Sequence, residues 1–332
     1  MPVPTPDQRA GCLLGLALGD ALGFVVEAEP PEVAAAYVRD ELRAGRAGAR
    51  SHPAFPFGQY SDDTQLAREL LLSVRDSRRF DPAAFARRVA ALFAQGRDVG
   101  AGPGSRGAAL RLAAGVPWTE AGAPAPYAGN GSAMRAASIG LLARGDIGTL
   151  IHVAVEQSRV THQDSRCAGG AVAMAGAAAL AAGSVGGPID PAAFVTELAG
   201  WVRPVDEAIG RAVALGGRWA GLDPHRAAGE LRAAGLDPEA EDPWPGVSSC
   251  VVPSVAWAVY AFLRSPDSYW DTVCTAVEIG GDTDTLGAMA GALAGARLGA
   301  GALPAPLLGR LTDRGEWDGA ALADLAKRSL RL

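Results

Sequence analysis

The chain has 332 residues, of which 49% are hydrophobic and 20% charged, and its formal net charge is −6. This composition is that of a globular protein with an extensive core, in one domain or two, and it excludes a disordered or fibrous chain. The acidic balance offers no basic face to a phosphate backbone, so we expect no nucleic-acid binding. Aromatic residues make up only 6%, so alanine, leucine and valine must fill the core. Because alanine-rich runs favour helices, we predict an all-α fold.

The cysteines and the N-terminus indicate the compartment. Four cysteines, Cys12, Cys167, Cys250 and Cys274, show no CxxC spacing and are expected to be small, mostly buried thiols in a reduced compartment. The first ten residues carry three prolines and no basic, apolar signal pattern. No span of 18 or more apolar residues is free of glycine interruption. We therefore expect a cytoplasmic protein without a membrane segment.

The first predicted helix runs from Gln8 to Val26 and carries a stripe of small residues. Its glycines, Gly11, Gly15, Gly19 and Gly23, recur every four positions and would let another backbone approach closely. This spacing is a membrane dimer signal only inside an apolar span, and Asp20 with Glu27 argues against that. We predict a packed central helix, followed by a loop over residues 29–60.

The rest of the chain alternates helical periodicity with loops. Further helices are predicted near residues 63–75, 82–95, 108–114, 129–142, 147–159, 165–182, 190–200, 204–219, 224–233, 249–264, 267–278, 284–297 and 317–328. Asp81-Pro82 and Asp223-Pro224 each combine an N-cap with proline at the first helical position. The glycine-rich stretch 100–107 and the segments 115–130 and 234–247 are predicted loops. No fixed-period repeat and no convincing strand alternation is present.

Two groups of aspartates, far apart in the chain, are the most informative feature. Asp62 and Asp63 lie in the segment 61–64, and Asp282 and Asp284 lie in the segment 280–285. Each group directly precedes a helical run, so capping is the ordinary explanation, but capping needs only one side chain per helix end. The surplus carboxylates repel one another unless a proton or a cation intervenes.

Oxygen-only ligands of this kind select Mg²⁺, Mn²⁺ or Ca²⁺ over zinc. If the two helix ends face each other, they would hold two cations, as in metal-assisted hydrolysis. The histidines His52, His152 and His225 have no partner at ligand spacing, which disfavours zinc. No Gly-x-Ser-x-Gly elbow or P-loop supports acyl transfer or NTP hydrolysis.

Two further segments are candidates for substrate binding. Residues 129–132, Gly-Asn-Gly-Ser, would present backbone N–H groups to an anion at a helix start, although Gly-Asn-Gly is equally an ordinary turn sequence. Arg135, one turn later, could form a salt bridge with a structural carboxylate or contact a phosphate. His162, just before another predicted helix, suits a solvent-facing or capping residue, a substrate contact or an acid/base group.

Five blocks occur here in one order: residues 15–23 with Glu27, 61–64, 129–135, 161–162 and 280–296. Together they resemble the ADP-ribosylglycohydrolase family, relatives of the dinitrogenase reductase-activating glycohydrolase, over nearly the whole chain. The resemblance implies one all-α domain over residues 1–332, a helical bundle with a dinuclear metal cleft. It also implies a glycosidic bond hydrolase that uses two Mg²⁺ or Mn²⁺ ions to release ADP-ribose from an acceptor.

The resemblance also implies roles for single residues. The implied metal ligands are Ser61, Asp62 and Asp63 from one helix end and Asp282, Asp284 and Thr285 from the other. Glu27 matches a family carboxylate near the metals, and Glu27, Asp63 or Asp284 would accept the proton of the attacking water. Gly129, Asn130, Gly131 and Ser132 would line the ADP-ribose pocket, with His162 near the ribose and Tyr127 stacking on adenine. The family usually has threonine at the position of Ser61.

The acceptor and two other functions stay open. Arginine-directed members carry a carboxylate just before the Asn-Gly loop, whereas residues 125–128 carry none. An ADP-ribosylated protein, linked through arginine, serine or another oxygen, and a small ADP-ribose conjugate are the expected partners, bound by a monomer. The alternatives are a non-catalytic crystallin-like relative and a dinuclear metal phosphoesterase acting on a nucleotide.

Overall fold

The computed structural model describes residues 3–143, 145–234, 244–329 and 332. These described residues form α-helices joined by loops and isolated bridges without a β-sheet, which confirms the all-α prediction. The first nine helices are α1 (Pro6–Gly23), α2 (Pro31–Tyr37), α3 (Asp62–Ser77), α4 (Pro82–Ala94), α5 (Pro103–Ala113), α6 (Trp118–Ala121), α7 (Ala137–Leu142), α8 (Ile147–Arg159) and α9 (Ser165–Gly183). The others are α10 (Pro191–Val202), α11 (Glu207–Arg218), α12 (Pro224–Ala233), α13 (Val251–Arg264), α14 (Tyr269–Val277), α15 (Thr283–Leu298), α16 (Ala305–Leu308) and α17 (Gly319–Arg328).

Helices α1 and α15 pack against each other along their whole length and form the centre of the bundle. The contact is made by glycines of both helices: a Cβ atom added to Gly15 would lie 3.3 Å from the Cα of Gly295 and closer still to the carbonyl of Gly291. Only glycine permits backbones to approach this closely. The predicted close approach of another backbone to the first helix is therefore confirmed.

The core around this pair is built from small and aliphatic side chains. Alanines of α9 and large side chains of α13, including Trp257, Tyr260 and Phe262, are fully buried in it. Two helical stretches, Pro6–Val26 and Ser165–Gly183, are long and apolar enough by composition alone to cross a membrane. In both, 89% of the apolar window is buried within the described structure, as is typical of core helices.

Four segments differ from the sequence prediction, and the first is the predicted loop 115–130, in which the short helix α6 (Trp118–Ala121) forms. Residues 29–60 were predicted as loop, but α2 and a π-helical turn (Val38–Leu42) form there, because Ala34, Val38 and Leu42 bury one face at helical spacing. Helix α5 already starts within the predicted 100–107 loop, at a proline in the first helical position. Residues 131–135 form turns, so α7 starts only at Ala137.

The cap-plus-proline signatures are confirmed. The Asp81 side chain accepts hydrogen bonds from the amides of Ala83 and Ala84, and Asp223 accepts one from Arg226. Both carboxylates therefore satisfy amides that a helix start leaves unpaired. Of the predicted 234–247 loop, residues 235–243 lie outside the described part of the chain.

Isolated backbone bridges bring the connecting loops together at one end of α1 and α15. They join Ala123 to His162, Gly129 to Cys250, and Val247 to Gly281. Gly281 has φ +84°, and a Cβ there would strike the backbone of Val247, so only glycine fits this turn. These pairings fix the loops that surround the acidic helix ends.

Candidate active site

The N-termini of α3 and α15 meet, and both acidic groups lie at their junction. The hydroxyl of Thr285 donates to Asp63 Oδ2 at 3.3 Å, and the hydroxyl of Ser61 donates to the same oxygen at 3.0 Å. Carboxylate oxygens of Glu27, Asp282 and Asp284 all lie within 4.8 Å of one another. Residues separated by more than two hundred positions in sequence thus share one cluster.

Capping explains only part of this cluster. Ser61 caps α3 by accepting from the amide of Asp63 at 3.4 Å. Asp282 stands at the N-cap of α15 but makes no capping bond with its side chain. Its Oδ2 instead accepts a hydrogen bond of 2.5 Å from the side-chain amide of Asn130. The remaining carboxylates are therefore surplus to capping.

The electrostatics of the cluster are unfavourable as it stands. Asp62, Asp63, Asp282 and Asp284 are each at most 5% exposed. Burial, reinforced for the first three by the charge of Asp284, raises the pKa of all four carboxyls above the ordinary range. Burial and the charges of Asp284 and Asp282 raise the pKa of Glu27 to about 10. No described arginine or lysine forms an ion pair with these five acids.

The donor set fits a hard divalent cation. Asp63 Oδ1 is buried without a hydrogen-bond partner among the described residues, so this acceptor is available to bind a cation. Around it stand carboxylates and the hydroxyls of Ser61 and Thr285, which are oxygen ligands only. Mg²⁺ and Mn²⁺ prefer such ligands, and a positive ion would remove the repulsion among the acids.

A cavity of about 150 Å³ lies over the acids, next to a wider cleft of about 920 Å³. The acids Glu27, Asp62, Asp63, Asp282 and Asp284 line its floor. Its walls are the start of α5, the loop around Asn130 and the side chains of Tyr127, His162 and Trp244. Tyr127 and Trp244 also line the wider cleft, so the two spaces adjoin.

Tyr127 and His162 form an aromatic wall of the cavity, their ring centroids 5.7 Å apart. A Cβ on Gly104 would lie 2.5 Å from the Tyr127 ring and 2.8 Å from His162 Nε2, so this glycine lets α5 pack against the wall. Burial and the charge of Arg135 lower the pKa of His162 to about 3. His162 is therefore neutral at physiological pH.

A hydrogen-bond chain sets the His162 tautomer. Arg135 donates to the hydroxyl of Thr161 at 2.8 Å, and that hydroxyl lies 2.8 Å from His162 Nδ1. Because Nδ1 is the only described acceptor within reach of this buried hydroxyl proton, we assign the proton to the bond with Nδ1, which leaves the ring proton on Nε2. Nε2 faces Gly104 at the cavity wall, where it can donate to a ligand.

The structure refines three other sequence expectations. Asn130 lines the cavity, but its amide is directed at Asp282 and Ser254 rather than at a phosphate position. Ser132 is fully buried, and its hydroxyl donates to the carbonyl of Cys167, away from the cavity. Arg135 forms no ion pair with a described carboxylate. Its guanidinium donates a hydrogen bond to the carbonyl of Gly131 at 3.0 Å and so stabilises the loop around Asn130.

Other features of the site were missed from sequence. The stretch 100–107 was predicted as a mobile or closely approached loop, yet Ser105 lies in the first turn of α5 and faces the cavity. Its hydroxyl makes no hydrogen bond to any described residue, although Ser105 is only 3% exposed. From sequence, Asp20 counted only as a charge that argues against a membrane helix. Its position among the regularly spaced glycines of α1 was the signal that could have marked it as part of the site. Nothing in the sequence singled out Trp244.

Comparisons with known proteins agree with this architecture. A sequence model of the family described as ADP-ribosylglycohydrolase matches residues 2–332. The chain is 30% identical to the ADP-ribosyl-[dinitrogen reductase] glycohydrolase of Rhodospirillum rubrum, over 92% of this chain and 90% of that protein. It is also 30% identical to human ADP-ribosylhydrolase ARH3, over 89% of this chain and 86% of that protein. A solved structure titled ADP-ribosylglycohydrolase-related protein complex matches with a TM-score of 0.70, 32% identity and 98% coverage of both chains.

The helical bundle and these matches define a hydrolase of ADP-ribosyl groups. The chain belongs to the ADP-ribosylglycohydrolase family, which confirms the resemblance seen in the sequence motifs. Hydrolytic removal of ADP-ribose is the activity that this membership supports.

Proposed function

We propose that the protein is a Mg²⁺- or Mn²⁺-dependent hydrolase that cleaves the bond between an acceptor and the anomeric carbon of the distal ribose of ADP-ribose. The observation that carries this proposal is the meeting of two acidic helix ends on the floor of a cavity. Ser61, Asp62 and Asp63 would hold the ions from α3. Asp282, Asp284 and Thr285 would hold them from α15.

Two divalent cations held there would orient the ribose diol and polarise a water molecule. The protein residues would supply the proton acceptor and the contacts that position the acids. Cleavage at an anomeric carbon passes through an oxocarbenium-like state, which requires a fixed ribose and a positioned water. Glu27, Asp63 and Asp284 are the groups that would accept the water's proton. Asn130 holds the Asp282 carboxylate in place through its amide.

The cavity walls suit the remainder of ADP-ribose. The hydroxyl of Ser105 and the amide of Gly131 line the cavity and have no partner among the described residues, and such donors bind phosphate oxygens. The amide of the adjoining Ser132 also has no described partner. The Nε2–H of His162 would donate to the ribose or to a phosphate. Tyr127, half-buried at the border of the wider cleft, offers a ring on which adenine would stack. Gly129 keeps the backbone close to that ring.

The acceptor would leave through the open side of the cavity. The names of two relatives point to different acceptors: a dinitrogen reductase for the protein of Rhodospirillum rubrum, and ADP-ribosylarginine for the Tri1 hydrolase of Pseudomonas putida, 26% identical to this chain. We propose an ADP-ribosylated protein or a small ADP-ribose conjugate as substrate. We further propose that the protein acts as a cytoplasmic monomer.

The test is hydrolysis of a panel of Arg-, Ser- and Cys-linked ADP-ribosyl peptides and O-acetyl-ADP-ribose, with and without EDTA. We expect release of intact ADP-ribose from at least one substrate, lost on chelation and restored by Mg²⁺ or Mn²⁺. Asp62→Ala and Asp284→Ala should both lose this activity. Asp223→Ala, which alters only an exposed helix cap, is the matched control and should retain it. Full activity of either active-site variant would remove the metal assignment.

The same assay separates the alternatives. A phosphoesterase would split ADP-ribose and yield AMP, whereas a glycohydrolase releases it intact. A crystallin-like scaffold would release nothing. Its melting temperature would also not respond to Mg²⁺ and ADP-ribose, because a ligand stabilises only a protein that binds it.

A further inference from the structure

Asp20 of α1 contacts the acidic end of α3 without lining the cavity. Its Oδ1 accepts a hydrogen bond from the amide of Ser61 at 2.8 Å. Its Oδ2 accepts from the amide of Thr64 at 3.1 Å and from the hydroxyl of Thr64 at 2.6 Å. Three donors of the segment that carries Asp62 and Asp63 therefore converge on one carboxylate.

Asp20 completes the N-terminus of α3 from another helix. The Ser61 side chain accepts only from the amide of Asp63, so the first-turn amide of Thr64 is satisfied by Asp20 instead. Asp20 is fully buried and forms no ion pair with a described arginine or lysine. A buried carboxylate is costly unless it is well hydrogen-bonded, so this group stabilises one arrangement of α3 against α1.

The acidic end of α15 is fixed to the same helix. The hydroxyl of Thr283, the residue before Asp284, donates to the carbonyl of Gly23 at 2.8 Å. Asp20 and Gly23 are three residues apart, about 4.5 Å along a helix axis. The last turns of α1 thus hold the starts of both α3 and α15, and the contact between the helices leaves little freedom for either to shift.

We propose that Asp20 is a positioning residue that sets the cation affinity of the acidic cluster by docking the start of α3 onto α1. The inference rests on the proposed function, because it assigns Asp20 a role toward the cations that the cluster would hold. Groups that orient metal ligands from behind commonly change metal affinity by about 10- to 100-fold when removed.

The experiment measures Mn²⁺ binding by isothermal titration and electron paramagnetic resonance, on wild type and on variants of Thr64 and Asp20. Thr64→Val keeps the shape of the side chain and the charge of Asp20 but removes the 2.6 Å hydrogen bond. We expect its Mn²⁺ affinity to fall about tenfold, and that of Asp20→Asn to fall further, within the ~100-fold range of such losses. Thr64→Ser keeps the hydroxyl and should bind Mn²⁺ within about twofold of wild type, given that the orienting bond is retained.

Gln8→Ala is the matched control for a purely structural effect. Gln8 lies at the other end of α1, where its buried amide donates to the carbonyls of Ala182 and Ala296. Its removal should lower the melting temperature of the metal-free protein and leave Mn²⁺ affinity unchanged. Thr64→Val leaves the buried Asp20 carboxylate one donor short, so it should also lower the melting temperature, but unlike Gln8→Ala it should lose Mn²⁺ affinity about tenfold as well.

The outcomes separate this inference from the proposed function. If wild type binds Mn²⁺ but Thr64→Val binds it equally well, positioning by Asp20 is refuted while the metal site stands. If Gln8→Ala loses as much affinity as Thr64→Val, the effect is general destabilisation, and the inference again fails. If wild type binds neither Mn²⁺ nor Mg²⁺, the proposed function and the role of Asp20 fall together.

Discussion

Gly15→Ala is predicted to destabilise the protein by forcing α1 away from α15. The added Cβ would lie 3.1 Å from the carbonyl carbon of Gly291 and closer still to its oxygen, inside the distance that real Cβ atoms keep. The atoms it meets are backbone, which no rotamer change can move. The helices would have to separate by roughly 0.5–1 Å, a gap that forfeits a quarter to a half of each dispersion contact.

The magnitude follows from two opposing effects. Overpacking of this kind costs about 1–3 kcal/mol, and replacing glycine by alanine in a helix returns up to about 1 kcal/mol. A net loss of about 1–2 kcal/mol lowers the melting temperature by roughly 1.5–3 °C in a chain of 332 residues, because its unfolding entropy is about 0.7 kcal/mol/K.

Scanning calorimetry of the metal-free protein measures this change, and Gly229→Ala is the control. Gly229 lies inside α12 with no atom within 4 Å of an added Cβ, so the same substitution should leave the melting temperature unchanged or raise it slightly. The reasoning is refuted if Gly15→Ala is as stable as Gly229→Ala. Such a result would mean that the two backbones are not in contact at Gly15.

Three further predictions concern the cavity. The pKa of Glu27 is raised from 4.5 to about 10, so the folded metal-free protein retains a proton that the unfolded chain releases, and stability falls as pH rises through this window. Glu27→Gln should flatten the fall of melting temperature with pH in EDTA; an unchanged slope would contradict the cause given for the shift. Tyr127→Ala should weaken ADP-ribose binding about tenfold by calorimetry, whereas Tyr127→Phe keeps the stacking face and should bind within about twofold. Ser105→Ala should weaken ADP-ribose binding about fivefold, the value of one hydrogen bond near 1 kcal/mol, while the exposed Ser165→Ala should not.

The helices with strong local signals could be predicted from sequence. Asp81-Pro82 and Asp223-Pro224 marked the starts of α4 and α12 because an N-cap and a first-turn proline act within a few residues. Helix α2 was missed because it is short and its periodicity is carried by few side chains. Its stability comes from burying Ala34 and Tyr37 against the rest of the fold, which is tertiary information.

The candidate site was predictable in composition but not in geometry. The surplus of acid at Asp62 and Asp284 pointed to a shared cation site, because local repulsion can be judged from neighbouring letters. That Asn130 turns its amide to Asp282, and that Ser132 faces Cys167, depends on how the loops are paired in space. The position of Ser105 in the cavity wall was hidden because a glycine-rich stretch gives no indication of where a helix will dock.

The pairing of α1 with α15 makes assembly a late event. Asp63 and Thr285 are separated by 222 positions, and the helix that supports both acidic ends comes from the beginning of the chain. During synthesis, α1 emerges long before its partner exists, and its glycine face has nothing to pack on. Closing such a distant contact is slow, so catalytic competence should arise only after translation of α15, and truncation before Thr283 should leave an aggregation-prone chain.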